Sequence, residues 1–315
     1  MQIKRPKTKP IDKQGKPKVL AIVGQTAVGK SDIGVLLAKS FNGEVVSSDS
    51  RQVYRGLDLG TGKITKKEMR GIVHHLLDEA NPSRKFTAVD FQKKGYKKIK
   101  EILSRGKNPI LVGGTGFYAQ ILLEGWQMPN VKENKKLRKS LNEKTSSQLI
   151  EILKKLDPKR IKEVDVKNKI RLIRSIEIAK AVGNVPKIIK TKPYDILWLG
   201  ITLPNNILKG KISKRLGVRI RKGMIKEAER LHKSGLSYKR MEKLGLEYRY
   251  MARFLSGKIS KEKMIESLEK EIWKYAKRQK TWFKKIEGIK WFSPKQIGKI
   301  KKETKRFLNN RFTPS

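Results

Sequence analysis

The residues best suited to chemistry begin at Gly24. Gly24-Gln25-Thr26-Ala27-Val28-Gly29-Lys30-Ser31 fills every fixed position of G-x-x-x-x-G-K-[ST]. An apolar run, 19–23, precedes it and an amphipathic stretch, 32–41, follows, which is the strand–loop–helix setting such a loop needs. Glycines allow the tight turn that gathers backbone N–H groups onto phosphate oxygens at a helix N-terminus. Lys30 adds a full charge, and the Ser31 hydroxyl can hold Mg²⁺. The loop predicts binding of a polyphosphate.

Asp49 closes a second apolar run, in Val45-Val46-Ser47-Ser48-Asp49-Ser50-Arg51-Gln52. A carboxylate at the carboxyl end of a parallel strand faces the crevice where such sheets bind ligands. From residue type alone it is a Mg²⁺-holding group, a general base or a helix N-cap. A third run ends in Gly113-Gly114-Thr115-Gly116, where small residues admit a ligand and Thr115 offers a hydroxyl or a cap. Arg171 and Arg174, and further on Arg215, Arg219 and Lys222, recur at helical spacing. Facing a crevice they would clamp phosphate; facing water they are solvated charge. Trp273 to Phe283 interleaves basic and aromatic residues, which suits nucleic acid or a helix burying Trp282 and Phe283. His74 and His75 read as hydrogen-bonded packing residues.

These groups need a scaffold. Strands are expected at 19–23, 44–47, 110–112 and 196–201, with helices at 31–41 and 88–104 between them. Alternation of this kind predicts an α/β fold: a P-loop-containing parallel sheet flanked by helices. Between 132 and 189 the periodicity is helical throughout, so a helical insertion domain is expected at 122–192. The α/β core is then 18–121 plus 193–291, with a basic N-terminal tail at 1–17 and a basic C-terminal tail at 292–315, for which one last helix within 293–315 is the alternative. Between 203 and 286 helices return, punctuated by Gly210, Gly223, Gly235, Gly245 and Gly257.

Composition narrows the partners. Lys and Arg number 76 against 29 Asp and Glu, a net charge of +47 in 315 residues. A field of that sign attracts polyanions, nucleic acid first. With no cysteine there is no disulfide or thiolate metal site, and three histidines are too few for a structural zinc. No window approaches about 18 consecutive apolar residues, so no membrane span is expected, and 1–17 lacks the apolar core of a signal peptide. A cytoplasmic protein is expected.

In this order the motifs resemble one family, the bacterial-type tRNA dimethylallyltransferases, also called tRNA isopentenyltransferases. The resemblance rests on 24–31, on Ser48 to Thr61, on His74-His75-Leu76-Leu77-Asp78, on Gly113 to Tyr118, on Arg171 to Glu177, and on Tyr275 to Phe283. It implies transfer of a dimethylallyl group from dimethylallyl diphosphate to N6 of adenosine 37, beside the anticodon of tRNA, giving N6-isopentenyladenosine and diphosphate. It implies that Gly24, Thr26, Ala27, Val28, Gly29, Lys30 and Ser31 hold the diphosphate with Mg²⁺. By the same resemblance Asp49 is the general base, Thr115 lies beside the bridging oxygen, and Lys30 and Arg215 stabilise the leaving group. The tRNA side comprises Asp49, Ser50, Arg51, Gln52 and Thr115 around the extruded base, then Ile170, Arg171, Leu172, Ile173 and Arg174, and Leu244, Gly245 and Arg249. The partners implied are the tRNA anticodon stem-loop and dimethylallyl diphosphate, with the chain expected as a monomer.

The chain departs from the family pattern at Val166-Lys167-Asn168, Lys211, Gly217, Arg219 and Leu244-Gly245-Leu246. The rival readings are a P-loop kinase holding ATP, a prenyltransferase acting on free adenine nucleotides, and an RNA-binding protein on a degenerate P-loop scaffold. The expected insertion and the charge favour a macromolecular acceptor over free nucleotides, and the fully preserved loop counts against a degenerate scaffold.

Overall fold

The computed structural model describes residues 15–310. Six strands, β1 (Lys18–Gly24), β2 (Gly43–Ser47), β3 (His74–His75), β4 (Asn108–Gly113), β5 (Asp195–Ile201) and β6 (Lys290–Phe292), form a parallel sheet in the order β3-β2-β4-β1-β5-β6. Helices α1 (Lys30–Ser40), α2 (Lys66–Met69), α3 (Ala88–Ser104) and α4 (Gly116–Leu123) follow the early strands. Helices α5 (Lys135–Glu143), α6 (Ser146–Leu156) and α7 (Lys169–Val182) come next. After β5 run α8 (Asn205–Arg221), α9 (Met224–Lys233), α10 (Tyr238–Leu244), α11 (Leu246–Leu255) and α12 (Lys261–Phe283), and α13 (Ile297–Asn309) closes the described chain.

β1 and β2 are buried along nearly their whole length, as strands of a parallel sheet covered on both faces must be. Leu20 pairs Ile110 and Val23 pairs Gly113, so β1 and β4 end level with each other. On the other side Gly24 pairs Ile201. That register leaves no room for a side chain at Gly24, where an added Cβ would lie 2.2 Å from the Ile201 carbonyl oxygen. Leu20, Ile22, Val45 and Ile110 of the sheet share one core with Leu208 and Ile212 of α8, Met251 of α11, and Leu268 and Ile272 of α12.

Residues 126–191 form a second unit with its own core of Leu141, Leu149, Leu153, Val164, Leu172, Ile173 and Ile176. Inside it Glu177, 2% exposed, accepts from Arg138 Nη2 at 2.6 Å and Nε at 3.0 Å, and from the Asn134 N–H at 2.6 Å. Burial pushes the Glu177 pKa up, but these donors outweigh it and hold the group below the usual carboxylate range.

The structure revises the expected organisation in three places. Residues 122–125 finish α4 and its exit and belong to the sheet-bearing unit, where Leu122 and Leu123 are buried. The stretch after 291 is folded rather than a tail: β6 pairs with β5, and α13 buries Ile300 and Thr304. Its apolar positions are spaced among lysines, so composition hides an amphipathic helix. Gly210 lies within α8 and breaks nothing. Positions 1–14 of the expected N-terminal tail and 311–315 lie outside the described residues. Among the described residues no helix is long and apolar enough to cross a membrane.

Candidate active site

The phosphate loop runs from the end of β1 into α1. Gly24, Ala27 and Gly29 adopt φ of +143°, +62° and +92°, the turns that fold the loop back over the helix start. Lys30 reaches back to donate to the Gln25 carbonyl. Its pKa is about 7 rather than 10.5: burial lowers it most, the Arg215 guanidinium lowers it further, and the Asp49 carboxylate pulls the other way. Lys30, Arg215 and Asp49 thus act on one another electrostatically, although they stand 185 positions apart at the extreme in sequence (215 − 30).

Asp49 follows β2. Its Oδ1 accepts from the N–H groups of Arg51 at 2.8 Å and Gln52 at 3.2 Å, a local turn that fixes the carboxyl group. No hydrogen bond from the described residues reaches Oδ2. Asp49 is therefore a turn residue through Oδ1 rather than a helix N-cap, since the next helix begins only at Lys66.

The turn after β4 is zipped to the turn after β2. Thr115 N–H donates to the Ser48 carbonyl at 3.2 Å, and Thr115 Oγ1 accepts from Ser50 N–H at 3.2 Å. Gly113 is required here, because an added Cβ would lie 2.1 Å from the Ser48 carbonyl oxygen. Tyr275 of α12 lies among the same groups. Burial and then the Asp49 charge push its pKa up, so its hydroxyl stays neutral.

Arg215, on α8, donates from Nη2 to the Gly62 carbonyl at 2.9 Å, and Gln52 Nε2 approaches that carbonyl at 3.4 Å. The loop carrying Gly62 is held from below. Glu227 of α9, 4% exposed, accepts from the N–H groups of Asp58 at 3.2 Å, Leu59 at 2.7 Å and Gly60 at 2.9 Å, and from the Tyr248 hydroxyl at 2.6 Å. Arg219 grips the other side, donating to the carbonyls of Leu59 at 3.3 Å and Gly60 at 2.9 Å and to Glu247 at 3.1 Å. Arg219 is thus a brace for this loop, not solvated charge.

Gln279 of α12 links the phosphate loop to the turn after β4. Its Oε1 accepts from Thr26 N–H at 2.7 Å, and its Nε2 donates to the Gly114 carbonyl at 2.9 Å. One turn later Trp282 Nε1 donates to Gln120 Oε1 at 2.8 Å while the indole occupies the space a side chain on Gly116 would need. The basic–aromatic segment of α12 is therefore a buried brace on this face. His75 is a packing residue in the described structure: with Arg105 and Lys107 it surrounds the buried Glu44. Burial pushes the Glu44 pKa up, but the three donors outweigh it and bring the group down to about 2.

The residues expected to meet tRNA fall into distinct settings. Ile170 is 79% exposed on the first turn of α7, next to exposed Arg171, whose guanidinium is 3.6 Å from Asp165. Gly245 separates α10 from α11 with φ +83°, and the Arg51 guanidinium lies against it. Arg249 is exposed on α11. Three expectations are corrected: the side chains of Leu172, Ile173 and Leu244 are core residues, packed away from any surface. Helical periodicity explains this, since a contiguous stretch of helix cannot present every side chain to one partner. Arg174 is half-buried, tied to Glu177 and donating to the Val131 carbonyl at 2.9 Å, so it serves the fold of its unit. Reading residue types alone missed Glu227, Tyr248 and Gln279, because an isolated carboxylate, phenol or amide in a charged helix carries no local signal.

A phosphate loop carrying Lys30 after β1, a carboxylate after β2 and a hydroxyl after β4, with the Arg215 guanidinium acting on Lys30, define a P-loop α/β protein. The chain belongs to the IPP transferase family, whose sequence model matches residues 52–286. This is the family that the ordered motifs resemble. The chain is 42% identical over 279 residues to tRNA dimethylallyltransferase 2 of Treponema denticola, covering 86% of this chain and 93% of that one. It is 36% identical over 298 residues to the tRNA dimethylallyltransferase of Halalkalibacterium halodurans, covering 91% and 94%. Among solved structures, a full-length tRNA isopentenylpyrophosphate transferase from Bacillus halodurans superposes with a TM-score of 0.72 at 36% identity, covering 93% of this chain and 97% of that one. A eukaryotic dimethylallyltransferase described as acting on tRNA superposes with a TM-score of 0.79 at 26% identity, covering 95% and 81%.

Proposed function

We propose that this protein transfers a dimethylallyl group from dimethylallyl diphosphate to N6 of adenosine 37 in tRNA, releasing diphosphate. Family membership carries the reaction class. The observation that carries the assignment of roles is the convergence of Lys30, Asp49, Thr115 and Arg215 at the carboxyl ends of β1, β2 and β4 and on α8.

The chemical difficulty is a poor nucleophile, because the adenine N6 lone pair is delocalised into the ring. As N6 bonds to C1 of the donor, the C1–O bond breaks and its electron pair leaves with the diphosphate. The loop N–H groups, Lys30 and Arg215 stabilise that growing charge. The N6 proton passes to Asp49, whose Oδ2 takes no other hydrogen bond among the described residues. Thr115, held by Ser50 N–H, stands beside the bridging oxygen. The adenine must leave its stack to reach this site.

Ser31 fits a Mg²⁺ ligand: its hydroxyl is exposed in the first turn of α1, and Mg²⁺ usually takes one or two protein oxygens alongside phosphate oxygens and water. When bound, the ion supplies charge neutralisation for the diphosphate. Exposed Ile170, Arg171 and Arg249 and half-buried Arg51, with the net charge of +47, hold the tRNA. We take the protein to act as a cytoplasmic monomer.

The test is transfer of label from dimethylallyl diphosphate to an anticodon stem-loop with Mg²⁺, against a matched stem-loop carrying guanosine at the target position. Label in the first alone supports donor, acceptor and site together. Label in neither, with ATP turnover instead, would replace this reading with the kinase.

A further inference from the structure

Gln279 has no part in the reaction as written, and neither account of the Tyr275–Phe283 segment explains a buried amide there. It is 5% exposed, on the face of α12 turned to the sheet. Its Oε1 holds Thr26 N–H at 2.7 Å and its Nε2 holds the Gly114 carbonyl at 2.9 Å. The fit is close: a Cβ on Gly114 would lie 2.2 Å from Nε2, so the amide occupies the space that glycine leaves. A carboxamide is the side chain that offers a donor and an acceptor at one planar end. Here it spends one on each of two turns that, among the described residues, no other hydrogen bond joins beyond the end of the β1–β4 ladder.

We infer that Gln279 is a positioning residue for group transfer, fixing the phosphate loop at Thr26 relative to the β4 turn that carries Thr115. The inference rests on the transferase reading. The loop carries the leaving group and the β4 turn carries the hydroxyl beside it, so their spacing sets the alignment of donor and acceptor. A shift of about 1 Å at such a place costs on the order of 100-fold in rate. The Thr26 N–H is committed to Gln279 in this arrangement, which leaves the N–H groups from Ala27 to Ser31 for the diphosphate.

Two substitutions test this, with single-turnover transfer, donor affinity and tRNA affinity measured between pH 5 and 8 beside wild type. Gln279→Met keeps length and loses both hydrogen bonds. Gln279→Glu loses the donor only while the new carboxyl is ionised, because a protonated carboxyl again presents an O–H and a C=O. The expected result for Gln279→Glu is a transfer rate down about 100-fold at pH 8. Its ratio to wild type stays at that floor down to about two pH units above the pKa of the new carboxyl, then rises about tenfold per unit as the carboxyl is protonated. Gln279→Met is expected to stay low with a flat ratio, and tRNA affinity to stay within about twofold for both. Wild-type rates in folded variants, or a flat ratio for Gln279→Glu, would overturn the inference, as would loss of tRNA binding equal to the loss of rate. If Gln279→Met does not fold, the pH ratio of Gln279→Glu alone decides. If wild type itself transfers nothing, the transferase reading fails, and the same pH ratio read on inorganic diphosphate affinity still decides whether Gln279 positions the loop.

Discussion

The Thr115 hydroxyl accepts the Ser50 N–H at 3.2 Å, so the turn after β4 and the turn after β2 hold each other. The groups assigned to the two substrates are thereby fixed by one side-chain oxygen. Thr115→Val keeps the shape and removes this oxygen, leaving a partly buried N–H unpaired at a cost of about 1–3 kcal/mol. We expect transfer to fall about 100-fold, as when one donor beside a developing oxyanion is removed. Thr115→Ser should retain most of the rate. Single-turnover kinetics with saturating tRNA distinguishes the two.

Lys30 makes donor binding proton-linked. At a pKa of about 7 in the free protein, Lys30 is largely neutral at pH 8, whereas a bound diphosphate favours the ammonium form. Dimethylallyl diphosphate should therefore take up close to one proton on binding at pH 8, and its affinity should fall as pH rises above 7. Calorimetry in buffers of different ionisation enthalpy measures this, and zero uptake would contradict it. Stability has the corresponding sign. The unfolded chain, with its ordinary value of 10.5, binds more protons between about 7 and 10.5, so Lys30 makes the ligand-free fold gain stability as pH rises through that window. Lys30→Met should flatten that rise.

Glu227 acts on Arg215 through the loop it holds. With three backbone N–H groups and the Tyr248 hydroxyl on one carboxylate, Glu227→Gln turns an N–H₂ toward donors and should cost about 2 kcal/mol of stability. It should also lower transfer by releasing the Gly62 carbonyl that Arg215 grips. In an Arg215→Ala background the kinetic loss should disappear while the stability loss remains, a separation that a double-mutant cycle reads directly.

How much of this was legible in the sequence depends on what each residue answers to. The phosphate loop was legible because Gly24, Gly29 and Lys30 are demanded by local backbone geometry and charge. β1, β2, β4 and β5 were legible as apolar runs, and α3 matched its expected span, 88–104, where Thr87 and Asp90 form a capping box. β3 has two polar residues, and β6 is defined by pairing with β5, about 90 positions earlier, so neither has a local signature. The burial of Leu172, Ile173 and Leu244 depends on which way a helix faces. Gln279 depends on Thr26 and Gly114, which tertiary packing alone brings to it.

The central claim is that Asp49 takes the N6 proton, and Asp49→Asn tests it most directly. Asparagine keeps the oxygen that accepts from Arg51 and Gln52, so the turn survives while the base is removed. Single-turnover transfer to an anticodon stem-loop should fall by about 10²–10⁴-fold with tRNA affinity within about twofold of wild type. Transfer near the wild-type rate would show that the proton leaves by another route, and Asp49 would then be a turn residue and nothing more.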